Sequence, residues 1–408
     1  MKKKVVLAFS GGLDTSYCVK YLSDERGLEV HTVIVNTGGF SAEELKKIEE
    51  TAVSLGSASH TVMDETTSFY QRCVRYLIFG NSLRNGTYPL SVSAERVFQA
   101  LAIADYAKNL GADYIAHGST SAGNDQVRFD LVFHILCPEI EVITPIRDLS
   151  LSRQQEIEYL AQKGVKKDWT KAQYSINQGL WGTSVGGAET LTSHKALPEE
   201  AFPSQLKKQE PSRITLHFEK GELVGVNDQF KDPVSNIQYL QELAEPYAIG
   251  RDIHVGDTII GIKGRVGFEA AAPMLIIKAH HQLEKHTLTK WQQYWKEQMG
   301  NWYGMLVHEG NFLDPVMRNV ETFLEDTQDK VTGKVFVTLL PYRFQIEGIE
   351  SKHDLMNSGF GHYGEMNKGW TGDDVKGFTK ILANSLKIYH SVNKDEVTKD
   401  KAKDDKKS

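Results

Sequence analysis

The chain is short of the features that mark several large protein classes. It has 3 cysteines in 408 residues: Cys18, Cys73 and Cys137, scattered, with no C-x-x-C pair and no Cys/His cluster. That excludes a disulfide framework and a zinc site built on thiolates, and points to a reducing, cytoplasmic setting. Long apolar runs are also missing. The stretch after the basic start MKKK breaks at Gly11, too short for a membrane span or a signal sequence. Basic residues are not in excess either: 47 Lys and Arg against 53 Asp and Glu leave a formal net charge of −6. Such a balance argues against a nucleic-acid-binding surface. No internal repeat is visible. What remains, 25 % charged and 40 % hydrophobic residues, is the composition of a globular enzyme with room for two or three domains.

The first part of the chain alternates strands and helices. Lys4–Phe9 is a short β-branched run and reads as a buried strand, and Thr15 to Leu22 reads as helix. Further strands are expected at Val30–Val35, His60–Met63, Tyr114–Ala116 and Ile140–Ile143, with a helix over Ala94–Asn109 between them. Ser41-x-x-Glu44 and Ser152-x-x-Gln155 are capping boxes, and the helices they open should stop near Gly56 and Gly164. This alternation predicts an α/β domain with a parallel sheet covered on both faces, over residues 1–168. Residues 170–212 are rich in Gly, Ser, Thr and Pro and read as long functional loops. A β-hairpin is expected from Ile214 to Val226, with more strands through Ile277. Asp314-Pro315 starts a helix, and Gly333–Ile349 is again strand-rich. Trp291, Trp295 and Trp302 read as core or subunit interface. Asp373–Val392 carries an amphipathic stripe through Val375, Phe378, Ile381, Leu382, Leu386 and Tyr389. From Lys394 the chain is almost all Lys, Asp and Glu, and a disordered tail is expected.

KVVLAFSGGLDTS (Lys4–Ser16) is the stretch that carries chemistry. A kinase-type phosphate loop would read GxxxxGK[ST], and this loop has no lysine. Gly11 and Gly12 let backbone N–H groups turn inward, while Ser10, Thr15 and Ser16 add hydroxyls beside a helix N-terminus. Together they make an anion cradle. Asp14 would repel a bare phosphate, so a magnesium ion or an amine is expected nearby. That suits holding a leaving pyrophosphate better than passing on a terminal phosphoryl group.

With SGGLDTS closing a first strand, the sequence resembles the argininosuccinate synthase family. SGGLDTS alone would indicate only the larger group of ATP pyrophosphatases. HGSTSAGNDQVRFD (His117–Asp130), YSINQGLWG (Tyr174–Gly182) and GIKGRVGFE (Gly261–Glu269) follow in that family's order. The likeness runs from about residue 4 to residue 390. It implies a PP-loop nucleotide-binding domain over 1–168, an α+β synthetase domain over 169–370, and a C-terminal oligomerisation helix over 371–392, with the tail from 393. The implied partners are small molecules: ATP with Mg2+, citrulline and L-aspartate, in a homotetramer working in arginine biosynthesis. ATP would adenylate the ureido oxygen of citrulline and release pyrophosphate. The amine of aspartate would then displace AMP, so alignment and charge stabilisation should supply most of the acceleration.

Carried over position by position, the resemblance implies an ATP site of Ala8, Phe9, Ser10, Gly11, Gly12, Asp14, Thr15, Ser16, Val35 and Gly118. Thr120, Asn124 and Asp125 would hold aspartate, Asp125 orienting the amine or taking its proton. Tyr88, Ser93, Asn124, Arg128, Ser175 and Ser184 would meet citrulline, with the planar fork of Arg128 suited to its α-carboxylate. No metal cluster is expected from protein side chains alone.

Departures from the family pattern fall mainly at the citrulline end. Ser121-Ala122 stand where the family has Gly-Lys, and Asn177-Gln178-Gly179 where it has an acidic stretch. Gly256 and Phe268 stand where it places a glutamate and a tyrosine on the amino-acid end of citrulline. Two readings follow. The ammonium partner is lost, and the substrate is an Nα-acyl-citrulline, acetyl or succinyl, with Lys263 or Arg265 available to an acidic acyl group. Alternatively, Asp257 replaces the glutamate after a one-residue register shift. A tRNA-thiolating enzyme shares the loop, but would need a basic surface and a reactive cysteine pair. A non-catalytic nucleotide sensor would not need the second half of the chain.

Overall fold

The computed structural model describes residues 2–167, 169, 174–357, 359, 363–365 and 369–393. Its first strands form a parallel sheet in the order β3-β2-β1-β4-β5: β1 (Lys4–Ala8), β2 (Glu29–Asn36), β3 (Ser59–Asp64), β4 (Tyr114–Ala116) and β5 (Glu141–Ile143). β1 is central because its side chains have no polar face to show water. Val5, Val6 and Leu7 are all fully buried, as a strand covered on both faces requires. Val6 and Val33 join one core on one side, while Val5, Leu7, Cys18 and Leu160 form another on the opposite side.

Strand order reverses at β1. The chain builds outward to β3, then returns through the long helix Ser91–Leu110 to place β4 on the other side of β1. The loops after β1 and β4 therefore face one another at the carboxyl ends of the strands, where open α/β sheets bind ligands.

Two antiparallel sheets follow. One has the order β10-β11-β7-β6 and the other β13-β12-β8-β9. Their strands are β6 (Ser175–Gly179), β7 (Gly182–Gly186), β8 (Ser212–Glu219), β9 (Glu222–Val226), β10 (Arg251–Asp257), β11 (Lys263–Glu269), β12 (Gly333–Leu340) and β13 (Arg343–Glu350). The expected hairpin at Ile214–Val226 and the strands at Gly333–Ile349 are present. β6 and β7 lie where loops were expected. Their Ser, Asn, Gln and Gly residues lack the apolar alternation that marks a strand, and β6 is mostly exposed. The strands expected through Ile277 give way to helix at Ala271–Thr287. That helix is buried on most sides, so its Ile276-Ile277 pair imitates a strand while no helical stripe stands out.

The chain forms two compact units, residues 1–353 and a second that begins at Asp354. In the second, the expected single helix is two, Gly372–Leu382 and Asn384–Val392. Thr371 caps the first by accepting from the Asp374 N–H. Phe378, Ile381, Leu386 and Tyr389 are all exposed. Trp291, Trp295 and Trp302 in the first unit are 54–65 % exposed, which corrects the expectation of a core role. Residue 168, where the first domain was expected to end, and the expected tail from Lys394 lie outside the described residues.

A buried ion pair ties the helices Ala271–Thr287 and Lys290–His308 together. Lys296 Nζ lies 2.5 Å from Glu284 Oε2 and donates to the Phe79 carbonyl at 2.7 Å. Both side chains are 1 % exposed. Removing one partner leaves the other charge buried and unpaired, so Lys296→Met should lower unfolding free energy by about 3–5 kcal/mol. Denaturant titration checks this; a loss below about 1 kcal/mol would mean that the pair does not anchor the helices.

Candidate active site

A cleft of about 1110 Å³ opens at the strand-order reversal. One end is the loop Phe9–Gly12 and the start of the helix Leu13–Lys20. Gly12 caps that helix with extended backbone and no side-chain hydrogen bond, leaving the first-turn N–H groups available to an anion. Gly11 has φ +75°, a conformation glycine adopts at little cost. Ser10 and Thr15 hydroxyls stand 3.4 Å apart at the rim. From the β4 side Gly118 closes on the loop so tightly that a Cβ there would be 3.3 Å from Asp14 and Thr15. Below Asp14 lies the carboxyl of Glu156, nearly buried. Burial first, then the charge and hydrogen bond of Asp14, push it up to about 8. The charge absent at Ser121-Ala122 has counterparts elsewhere: Arg153 lines the cleft and Lys167 Nζ donates to the Gly11 carbonyl at 3.1 Å.

The other end is organised by one carboxylate. Asp125, first residue of the helix Asp125–Leu136, accepts from Arg96 Nε at 3.0 Å and from Arg128 Nη1 at 3.2 Å. Burial alone would raise its carboxyl, but the two guanidinium charges outweigh burial and hold it below the usual carboxylate range. Arg96 also reaches Asn177 Oδ1 on β6 at 2.9 Å. Arg128 spends Nε and Nη2 on the His308 carbonyl, leaving one N–H on each terminal nitrogen for a ligand. Beside Asp125, Asn124 Oδ1 accepts from the Ile259 N–H at 2.9 Å. Glu95, almost fully buried, takes a 2.8 Å hydrogen bond from Thr37. Burial outweighs Arg96 and that hydrogen bond, pushing Glu95 up to about 7.

Most residues singled out from the sequence converge here. Ala8, Phe9, Ser10, Gly12, Asp14, Thr15, Val35 and Gly118 line the end at the loop Phe9–Gly12, and Thr120, Asn124 and Asp125 lie between the ends. Tyr88, Ser93, Arg128, Ser175, Ser184 and Gly256 line the end at the Arg128 fork. Three do not reach the surface of the cleft. Gly11 shapes the turn, and Ser16 is fully buried behind it with its hydroxyl unpartnered among the described residues. Phe268 is fully buried and packs behind Tyr88, ring centroids 5.4 Å apart. It supports the cleft rather than contacting its contents.

Asp257 also lines the cleft, at the end of β10. β10 pairs with β11 without a bulge from Arg251↔Glu269 to Asp257↔Lys263. Pleat alternation puts His254 and Gly256 on one face, and Val255, Asp257, Lys263 and Arg265 on the other. Asp257 pairs there with Lys263 at 2.6 Å.

Arg96, Glu95, Arg153, His254 and His308 were missed. The available signal was weak: Glu95-Arg96 are two charges set inside an otherwise apolar helical pattern.

Two family models together match nearly the whole chain. The arginosuccinate synthase N-terminal HUP domain covers residues 4–166, and the arginosuccinate synthase C-terminal domain covers residues 174–389. The chain is 36 % identical to the argininosuccinate synthase of Dictyoglomus thermophilum over 391 residues, 95 % of this chain and 98 % of that one. It is 36 % identical to that of Methanocaldococcus jannaschii over 358 residues, 87 % and 90 % of the two chains. With that of Xanthomonas campestris it shares 36 % over 400 residues, 96 % and 99 %. With the strand-order reversal, the phosphate cradle and the acceptor clamp in one cleft, the chain belongs to the argininosuccinate synthase family.

Proposed function

We propose that this protein ligates citrulline and L-aspartate to argininosuccinate, splitting ATP into AMP and pyrophosphate. The observation that carries the reading is a single cleft with an anion cradle free of lysine at one end and the Arg96–Asp125–Arg128 clamp at the other. The ureido oxygen of citrulline attacks the α-phosphorus of ATP, and pyrophosphate leaves into the N–H groups after Gly12. The aspartate amine then adds to the ureido carbon, loses a proton, and expels AMP. Arg128 offers its two remaining N–H donors to the α-carboxylate of citrulline. Asp125, kept ionised by two arginines, is a weak base. It therefore orients the amine, and the proton goes to water or to the departing phosphate.

Mg2+ fits as a companion of ATP. The described residues contain no group of three ligating side chains, and Asp14 is the carboxylate that would meet the ion beside the phosphates. Residues 1–168 then serve as the nucleotide domain and 169–370 as the synthetase domain. The exposed apolar stripe of 371–392 serves as an oligomerisation element in a homotetramer. No described helix is long and apolar enough to cross a membrane, and with three buried free thiols a cytoplasmic setting is the reading adopted.

Purified protein with ATP, Mg2+, citrulline and aspartate should release AMP and pyrophosphate in equal amounts, dependent on both amino acids. Formation of ADP and orthophosphate would overturn the reading. Asp125→Asn should lower kcat/KM for aspartate by about 10²–10³-fold, because a neutral amide no longer balances two arginines or orients the amine. Nucleotide binding should persist in that variant; isothermal titration with ATP would reveal the opposite.

Glu95 makes a pH-dependent contribution to stability. Its folded pKa, about 7, lies above the ordinary 4.5, so the fold favours the protonated form. Stability is therefore lost as pH rises from 4.5 through about 7, the reverse of a salt-bridged carboxylate. Glu95→Gln should gain on the order of 2 kcal/mol relative to the parent between pH 5 and pH 8. Thermal unfolding of both proteins at those two pH values tests it, and equal differences would refute it.

A further inference from the structure

At the acceptor end, beyond the Arg128 fork, lie His254, Gly256 and Tyr88. The carboxylates lining the cleft are Asp14, Glu44, Glu95, Asp125 and Asp257, and each is engaged elsewhere. Asp14 belongs to the phosphate loop, and Glu44 closes the capping box with Ser41. Glu95 accepts from Thr37, Asp125 lies between two arginines, and Asp257 pairs with Lys263 on the opposite pleat. Glu309, just outside, is held by Arg84 at 3.4 Å and His308 at 3.1 Å. No buried carboxylate is left for an ammonium, and the exposed Asp257 is shared with Lys263.

The groups that lack partners here are on basic side chains instead. His254 is 6 % exposed, and its Nδ1 has no hydrogen-bond partner among the described residues; nor has Arg84 Nε. His254 stacks on Tyr88, ring centroids 5.3 Å apart. Its Nε2 lies where a Cβ on Gly256 would come within 2.6 Å. No side chain can therefore grow from Gly256 without displacing the ring. Burial, and behind it the charge of Arg84, lower the pKa of His254. Its neighbour His308 is pushed down to about 3 by burial and by Arg128, Arg84 and His254.

A free α-ammonium entering this corner would bring three more donors and a positive charge to a place with arginines and no free buried carboxylate, an expensive burial. An acylated α-nitrogen is uncharged, so it places no cation in a corner that offers no buried carboxylate to balance one. Resting on the ligase reading above, we infer that the cleft also accepts citrulline acylated on its α-nitrogen, with His254 and Gly256 forming the acyl subsite. The acyl amide stays intact throughout. The ureido oxygen still displaces pyrophosphate, the aspartate amine still displaces AMP, and the product is the Nα-acyl-argininosuccinate.

The test is pyrophosphate release by the full-length protein with ATP, Mg2+ and aspartate, offering citrulline, Nα-acetylcitrulline and Nα-succinylcitrulline in parallel. The expected result is kcat/KM for at least one acylated substrate within about tenfold of free citrulline, or above it. Values for both acylated forms more than about a hundredfold below free citrulline would overturn the subsite. Silence with all three would instead overturn the ligase reading, and the inference with it. The acetyl and succinyl arms separate recognition of the amide from recognition of a distal carboxylate. His254→Phe keeps the stack on Tyr88 and removes the ring nitrogens. It should raise KM for the acylated substrate about tenfold more than KM for free citrulline; equal changes would mean that the ring only supports Tyr88.

Discussion

One carboxylate between two guanidinium groups holds this site together. Asp125 joins Arg96 of the helix Ser91–Leu110 to Arg128 of its own helix, and those arginines extend the link to Asn177 on β6 and to the carbonyl of His308. Taking two cations and an anion out of water is costly, and the arrangement survives because each charge meets hydrogen bonds as well as an opposite charge. The parallel sheet, the hairpin β6–β7 and the end of the helix Lys290–His308 are thereby fixed around a common point. A carboxylate tied to two arginines is also a poor base, better suited to orienting a donor than to taking its proton.

Charge divides the cleft into two. At the end formed by the loop Phe9–Gly12, helix N–H groups and small hydroxyls offer donors, with Arg153 and Lys167 close by. At the other end, arginines and histidines dominate, and Asp125 and Asp257 each meet a cationic partner within the protein. A substrate with an acid at one end and an uncharged or well-partnered nitrogen fits that gradient. A strongly cationic one does not.

What could be seen in advance depended on how local its cause was. The phosphate loop and both capping boxes are contiguous, and Ser41 with Glu44 and Ser152 with Gln155 form as their spacing requires. The parallel sheet followed from its buried β-branched strands. Tyr88, Ser93, Ser175 and Ser184 came from family resemblance, since nothing in their own neighbourhoods marks them. Arg96 and His254 were invisible because their partners, Asp125 and Tyr88, lie 29 and more than 150 positions away. β6 was missed because it is polar and mostly exposed, and the helix Ala271–Thr287 because it is buried nearly all round. Phe268 was placed at the ligand by position alone; packing puts it behind Tyr88.

The bond from Arg128 to the His308 carbonyl spans 180 positions of sequence, and that separation orders events during synthesis. A chain emerging from the ribosome has its phosphate loop, β1 and β4 available early, since these lie within the first 116 residues. The acceptor end cannot close until the helix Lys290–His308 has left the exit tunnel and docked. Until then Arg128 lacks its acceptor, although β6, which carries the Asn177 partner of Arg96, has already been made. The two ends of the cleft are thus completed at different times, the loop end first and the clamp end last.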